Sequence, residues 1–141
     1  MSGGAASPPP QGLYRAATRH GGLIFTAGMT PRRDGVLQAT GMVAADADPA
    51  DHRDAVALAT GNAIAAARAC LGADERLSAI VSLTVYIAAE PGFAAHSRLA
   101  DFASEVLRAE LGEAGIGARA AVGVATLPGN APVEVQLIAA V

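Results

Sequence analysis

The fold is decided by residues 79–88, which read AIVSLTVYIA. Two kinds of side chain alternate along this stretch, with Val81, Leu83, Val85 and Ile87 on one side and Ser82, Thr84 and Tyr86 on the other. A period of two predicts a β-strand with one apolar and one polar face. We expect the apolar face to lie on helices, because the chain supplies a helical pattern on each side of this strand.

Two helices flank the strand in sequence. Asp48-Pro49 predicts the start of the first, because aspartate can cap a helix and proline suits its first position. Glycine favours helix ends, so Gly72 should stop this helix after Leu71. The second helix is predicted over Phe93–Leu111, where Gly112 follows.

The remaining apolar stretches predict further strands, separated by turn residues. Leu13–Thr18 and Leu23–Ala27 should form one hairpin, and Val36–Val43 a weak strand. Ala118–Thr126 and Val133–Ala140 should form a second hairpin around Leu127-Pro128-Gly129-Asn130. The order β-β-(β)-α-β-α-β-β predicts an α+β fold, a mixed sheet with two helices on one face, since strand–helix–strand crossovers are nearly always right-handed.

A chain of 141 residues is the size of one domain. Residues 1–12, MSGGAASPPPQG, contain nothing to bury and predict a disordered tail, so the single domain should comprise residues 13–141. This start has neither the basic nor the apolar region of a secretory signal.

Composition excludes several functions. The chain carries thirteen acids and ten bases, a net charge of −3, and every base is arginine. Without lysine there is no Schiff-base chemistry, and an acid excess with 4% aromatics does not suit a nucleic-acid partner. No apolar stretch approaches the roughly 20 residues that span a membrane. The single cysteine, Cys70, predicts a reducing compartment, hence the cytoplasm.

The sheet face opposite the helices has no cover within the chain. We expect Ser82, Thr84 and Tyr86 there, with the small residues Ala121, Gly123 and Ala125 beside them. A half-uncovered sheet favours a homo-oligomer.

Several motifs do not carry a function in this context. Residues 115–120 fit G-x-G-x-x-A, but a helix precedes them and a strand follows, the reverse of a dinucleotide-binding turn. His20, His52 and His96 lack metal-site spacing, so no metal is expected. Cys70 is interpreted as a small buried side chain that fills space in the core, and Arg32-Arg33 as a turn exposed to solvent.

Two charged residues stand out in apolar strands. Arg119 lies among small residues and is costly to bury without an anion, and its planar fork suits a carboxylate. Glu134 interrupts the last strand in the same way. A hairpin centred near Gly129 would set Glu134 opposite Val124, about 17 Å from Arg119 at roughly 3.3 Å per residue. If both serve one pocket, that pocket should be shared between subunits; ordinary ion pairing or solvation of both charges is the alternative.

Four stretches make the chain from about Gly12 onward resemble the RidA/YjgF family of reactive intermediate deaminases, also called endoribonuclease L-PSP. The most specific is Ala118–Pro128 (ARAAVGVATLP) running into Val133-Glu134-Val135. The others are residues 21–28 (GGLIFTAG) with Pro31, residues 65–72 (AAARACLG), and residues 81–86 (VSLTVY) followed by Gly92-Phe93.

The resemblance implies a chorismate-mutase-like α+β fold, a homotrimer with pockets between subunits, and hydrolysis of 2-imino or enamino acids to 2-keto acids and ammonia. It implies no metal or organic cofactor. By position, Arg119 would bind the substrate carboxylate, Glu134 would act near the attacking water, and Tyr14 and Gly28 would line the pocket. The backbone N–H near Ala121 would add a hydrogen-bond donor.

Some positions depart from the family pattern. Ala27 stands where many members have serine, Ala121 where many have cysteine, and Ser97 near a frequent asparagine; the segment Glu105–Gly117 is also longer. A small carboxylate therefore remains the expected ligand, and a trimeric binder or sensor of keto acids that does not catalyse is the alternative function. RNA cleavage, the activity in the family's older label, does not suit an acidic chain without lysine.

Overall fold

The computed structural model describes residues 6–141. Of the tail predicted over residues 1–12, residues 1–5 lie outside the described residues, and residues 6–12 contain no helix or strand. The seven strands of the described chain are β1 (Ala17–His20), β2 (Leu23–Thr26), β3 (Arg32–Arg33), β4 (Val36–Leu37), β5 (Ala79–Ala88), β6 (Ala118–Val124) and β7 (Val133–Ala140).

Five of these strands form one mixed sheet in the order β1-β2-β7-β5-β6. The β5–β6 pair is parallel, whereas the other three pairs are antiparallel. β3 and β4 form a separate short ladder. The predicted mixed sheet of an α+β fold is confirmed.

Two helices cover one face of this sheet. α1 (Arg53–Arg68) follows a short 3₁₀ turn, Pro49–His52, in which Asp48 Oδ1 accepts a hydrogen bond from the Ala50 N–H at 3.0 Å. α2 (His96–Leu111) ends at Gly112, which adopts a φ of 64°. Both helices are shorter than predicted: the 3₁₀ turn replaces the first turn of α1, and α2 starts after Phe93.

The core lies between the helices and the apolar side of β5 and β7. Small side chains on α1 are almost fully buried, so this helix approaches the sheet closely, while α2 contributes larger ones. The buried set from the two helices includes Val56, Ala59, Ala63, Ala66, Ala67, Leu99, Ala100, Ala103 and Leu107.

The apolar row of β5 differs from the prediction at one end. Leu83, Val85 and Ile87 are buried as expected, but Val81 is 44% exposed and Ile80 takes its place in the core. The register with β7 shifts between Ile80 and Ser82, as a β-bulge does. Beyond the bulge the alternation continues in the predicted phase.

The predicted hairpin of the last two strands is wrong. β6 pairs with β5 in parallel, and β7 pairs with β5 on its other side, so the two strands do not touch as a ladder. Residues 125–132, which include a 3₁₀ turn at Pro128–Asn130, cross the end of β5 instead of reversing tightly. Each edge of the long strand β5 carries backbone hydrogen-bonding groups, and β6 and β7 satisfy one edge each in this arrangement.

This topology also decides which side chains face away from the helices. Ser82, Thr84 and Tyr86 lie on that open face, as predicted, because they alternate with the buried row of β5. Ala121 and Gly123 do not, since they are in register with Val85 and Ile87, whose side chains point toward the helices. Ala125 lies just beyond β6. The open face carries exposed apolar side chains instead, namely Leu23 (39% exposed), Phe25 (40%) and Val122 (38%).

The N-terminal strands also differ from their predicted bounds. The first strand begins at Ala17 rather than Leu13, because β2 supplies partners only as far as Thr26 opposite Ala17. The turn is reduced to Gly21-Gly22, with Gly21 at a φ of 60°. The predicted weak strand over residues 36–43 shrinks to β4 and a single parallel bridge between Val43 and Ala89.

A bidentate ion pair ties the first hairpin to the segment after α1. Arg19 donates from Nη1 and Nη2 to the two carboxylate oxygens of Glu75, at 2.5 and 2.7 Å. The Gly72 N–H also donates to Glu75, at 2.7 Å. The hydrogen bond from Arg19, followed by that from Gly72, lowers the pKa of Glu75 to about 2. The pair therefore keeps its charges down to acid pH.

Candidate functional site

Arg119 lies on β6, the edge strand, with its side chain on the helix side of the sheet. It is in register with Leu83, a core residue of β5. Its Nη1 donates to Asp101 Oδ1 at 2.8 Å and to Ser104 Oγ at 3.0 Å. Its Nη2 donates to the hydroxyl and the carbonyl of Ser97, at 2.8 and 3.3 Å. One face of α2 thus holds the guanidinium of a strand residue.

The guanidinium also borders an open cavity of about 510 Å³. The walls of this cavity, called the Arg119 cavity below, are Ala94, His96, Ser97, Arg119, Ala121, Val122 and Gly123. The Arg119 side chain is 21% exposed, whereas that of Asp101 is 58% exposed and stands at the outer side of the pair. Among the described residues, the Nε–H of Arg119 meets no acceptor, so one donor remains for a ligand.

Glu134 lies on the other face of the sheet. In β7 it is directly opposite Tyr86, which belongs to the open face. Its carboxyl is half-buried, and this burial raises its pKa above the ordinary 4.5. A carboxyl with a raised pKa exchanges protons closer to neutral pH than a solvated one, which suits general acid–base chemistry.

Gly28 is in contact with that carboxyl. A Cβ at position 28 would lie 2.6 Å from both Cδ and Oε2 of Glu134, closer than real Cβ atoms come. Met29, the next residue, bridges to Val135, the residue after Glu134. The loop after β2 is therefore fixed against β7 by the backbone, and the absence of a side chain at Gly28 leaves room for the carboxylate.

The other two predicted site residues are placed as follows. Ala121 lines the Arg119 cavity from β6. Tyr14 precedes β1 rather than lying on it, is 47% exposed, and its hydroxyl accepts a hydrogen bond from the Gln11 N–H at 2.9 Å. Sequence reasoning had set it on the first strand, which was wrong because that strand starts at Ala17.

The predicted residues thus form two separate sets within one subunit. Arg119 and Ala121 face the helices at the sheet edge, whereas Gly28 and Glu134 lie on the opposite face, two strands away. Glu134 and Val122 are both in register with Tyr86, from opposite sides of β5, and Val122 is three residues from Arg119 along β6. Two strand spacings and three residues separate their Cα atoms by about 14 Å. The earlier value of 17 Å used the wrong strand pairing, but it led to the same conclusion.

Sequence reasoning missed the residues that hold Arg119. Ser97, Asp101 and Ser104 follow one another at i, i+4 and i+7, the spacing of one helix face. A polar row of this kind beside the buried row of α2 indicates that the helix faces something polar as well as the core. Ser97 stands out in the sequence only as a departure from the family pattern.

Residues 6–141 contain neither a cluster of metal-binding side chains nor a membrane-spanning helix. No group of three or more His, Cys, Asp or Glu side chains is placed to hold a metal ion. No helix in the same range has the length and apolar content needed to cross a bilayer.

The profile of the Endoribonuclease L-PSP family matches residues 4–141. The chain belongs to this family. It is the family also known as RidA/YjgF, so the resemblance is confirmed, and the solved structures of a YjgF protein and of an endoribonuclease-type relative share this chorismate-mutase-like fold.

Individual proteins are similar to this chain over most of its length. Protein TCP17 of Trypanosoma cruzi is 30% identical over 134 residues, 94% of this chain and 84% of that protein. The crystal structure of Atu1372 from Agrobacterium tumefaciens, a protein of unknown function, is 34% identical with a TM-score of 0.85, covering 92% of this chain and 82% of that one. TdcF of E. coli, crystallised with bound serine, is 25% identical with a TM-score of 0.63, covering 96% and 93%.

Replacing Glu134 by glutamine should stabilise the protein at neutral pH. The folded protein disfavours the ionised carboxyl of Glu134. The free energy of unfolding of the wild type is therefore unaffected below pH 4.5 and falls as the pH rises through the raised pKa. The melting temperature of Glu134→Gln should therefore exceed that of the wild type at pH 8 and equal it at pH 4. Glu113→Gln, at a side chain 83% exposed, is the control. A constant difference at all pH values would show that the burial has no effect.

Asp101 neutralises Arg119 in the unliganded protein, so Asp101→Asn should strengthen the binding of a small carboxylate such as 2-oxobutanoate. Because the pair is partly exposed, the gain should be at most about fivefold. Titration calorimetry measures it, with Asp74→Asn as an exposed control. Weaker binding would mean that Asp101 positions the guanidinium for the ligand instead of competing with it.

Proposed function

We propose that this protein hydrolyses small 2-imino or enamino acids to 2-keto acids and ammonia, without a cofactor, in pockets between the subunits of a homotrimer. The observation that carries the proposal is the Arg119 guanidinium at the wall of an open cavity on the edge strand. A small carboxylate is the ligand that this donor set fits best. The family membership is consistent with this role.

The pocket requires a second subunit because each subunit presents its two sets of site residues on opposite faces. Arg119 of one copy can meet Glu134 of another only if the open face of one sheet lies near the edge strand of its neighbour. That open face carries the exposed apolar side chains Leu23, Phe25 and Val122, which association would remove from water. A closed ring of identical contacts would repeat the pocket at each interface.

Arg119 is proposed to bind the substrate carboxylate. Its Nη2 already donates to Ser97, whereas its Nε–H has no acceptor among the described residues and is the donor that remains for the ligand. Ser104 and Asp101 accept from Nη1 on the other side of the fork, where Asp101 offsets part of the positive charge. The serine bound to the relative TdcF also carries a carboxylate, which supports a ligand of this class.

Glu134 is proposed to transfer the proton. The substrate reacts as the protonated imine: water attacks its carbon while the carboxylate takes one proton from the water, which forms a neutral carbinolamine. Glu134 then returns this proton to the nitrogen. As the carbon–nitrogen bond breaks, an oxygen lone pair forms the carbonyl and the carboxylate takes the hydroxyl proton, so that the keto acid and ammonia leave and the proton passes from Glu134 to solvent. The raised pKa of Glu134 suits both directions of this transfer. Imines already hydrolyse in water, so orientation and polarisation are the contributions required of the protein.

The setting of this activity follows from composition. With Cys70 as its single cysteine, the chain suits the reducing cytoplasm, which is where we place the reaction.

The direct test supplies freshly generated 2-aminoacrylate and follows keto acid and ammonia. Wild-type protein should accelerate both, Glu134→Gln should lower kcat about 10²–10⁴-fold, and Arg119→Ala should raise KM. Arg98→Ala removes an exposed arginine from α2 and should leave turnover unchanged. A rate equal to the uncatalysed one overturns the enzymatic reading; if keto acids still raise the melting temperature, the protein is the non-catalytic binder.

Mixing two inactive variants tests the shared pocket. When Arg119→Ala and Glu134→Gln chains are co-expressed in equal amounts, a pocket built from one intact Arg119 and one intact Glu134 should form about one time in four in a closed trimer. Activity should therefore recover to about a quarter of the wild-type value. Recovery requires mixed assemblies, so variants purified separately and kept at high concentration without exchange are the control. No recovery in verified mixed trimers would place the whole site in one subunit.

A further inference from the structure

The Arg119 cavity contains a second group that can donate a hydrogen bond to an anion. His96, the first residue of α2, lines the same cavity at its other end. Its Nε2 lies over Gly123, where a Cβ would come within 2.9 Å of it. Gly123 is four residues beyond Arg119 on the same face of β6, so the two ends of the cavity are defined by one strand.

The imidazole is held in place from a second direction. The Phe93 ring meets it edge to face, with centroids 5.0 Å apart and an interplanar angle of 68°. Gly123 leaves space beneath it, and Ser97, the next residue in the chain, bonds to the Arg119 guanidinium. Phe93, Gly123 and Ser97 thus define where the His96 ring and the guanidinium stand relative to each other.

The cavity walls are basic or neutral. Arg119, His96 and Ser97 are the polar wall residues, and each offers a donor; the remaining wall residues are alanine, glycine and valine. Asp101, which pairs with Arg119, is not part of the wall. A ligand with an acidic group at each end would be satisfied at both, whereas an apolar end would leave the His96 donor unpaired.

We propose that His96 recognises a second acidic group on the ligand, so that the cavity prefers imino and keto acids whose side chain ends in a carboxylate. This rests on the proposed function through one element, the binding of the first carboxylate by Arg119. His96 is then a specificity-determining residue, because it contacts the far end of the substrate and leaves the reacting carbon to Glu134.

Two keto acids with the same carbon chain test this preference. 2-Oxoglutarate and 2-oxopentanoate differ in having a carboxylate or a methyl group at the far end. By titration calorimetry, wild-type protein should bind 2-oxoglutarate about tenfold more tightly, the contribution of one added charge-assisted hydrogen bond. His96→Leu should abolish the preference, because it weakens the binding of 2-oxoglutarate without weakening that of 2-oxopentanoate. His20→Leu, at an exposed histidine in β1, is the matched control and should retain it.

The outcomes separate this inference from the proposed function. Equal affinity of the wild type for both acids, failure of 2-oxoglutarate to bind, or an unchanged preference in His96→Leu would each overturn the role of His96. If Arg119→Ala leaves the binding of both acids unchanged, the carboxylate site of the proposed function fails. A tenfold preference that depends on His96, in a protein without turnover, would uphold the inference and reject catalysis.

Discussion

The structure depends on the pairing of β5 with two strands that come after it in the chain. β6 lies at one edge of β5 in parallel and β7 at the other in antiparallel orientation. This central position buries the apolar row of β5 and determines which side chains of β6 and β7 face the helices. As a result, Arg119 shares a side with Leu83 and Glu134 shares a side with Tyr86. The division of the candidate site between two faces is therefore a direct result of strand order.

Much of this fold could be predicted from local patterns. The alternation from Ser82 onward in β5, the aspartate cap at Asp48 and the glycine after α2 each act through neighbours in sequence, and each was predicted correctly. Strand partners depend on distant segments, so the same reasoning failed for β6 and β7, whose turn residues resemble those of a hairpin. The bulge that exposes Val81 is likewise a property of two strands together and leaves no mark in the sequence of either.

The candidate site was predictable in its residues but not in its geometry. Arg119 and Glu134 are conspicuous because charges are costly in apolar strands. That Gly28 makes room for the Glu134 carboxylate, or that Gly123 makes room for His96, emerges only when the chain is folded, since each pair joins residues far apart in sequence. The partners of Arg119 were within reach of sequence reasoning, because Ser97, Asp101 and Ser104 share one helix face.

Helix α2 both packs into the core and holds the Arg119 guanidinium, and this combination limits how the protein can evolve. One side of this helix packs Leu99, Ala103 and Leu107 into the core, and the adjoining side grips the guanidinium. A slip of one residue would rotate the helix by about 100° and spoil both sides at once. Core substitutions that shift α2 therefore also change the shape of the Arg119 cavity. In this lineage, mutational drift in the hydrophobic interior and the gain of new ligand preferences are bound to proceed together.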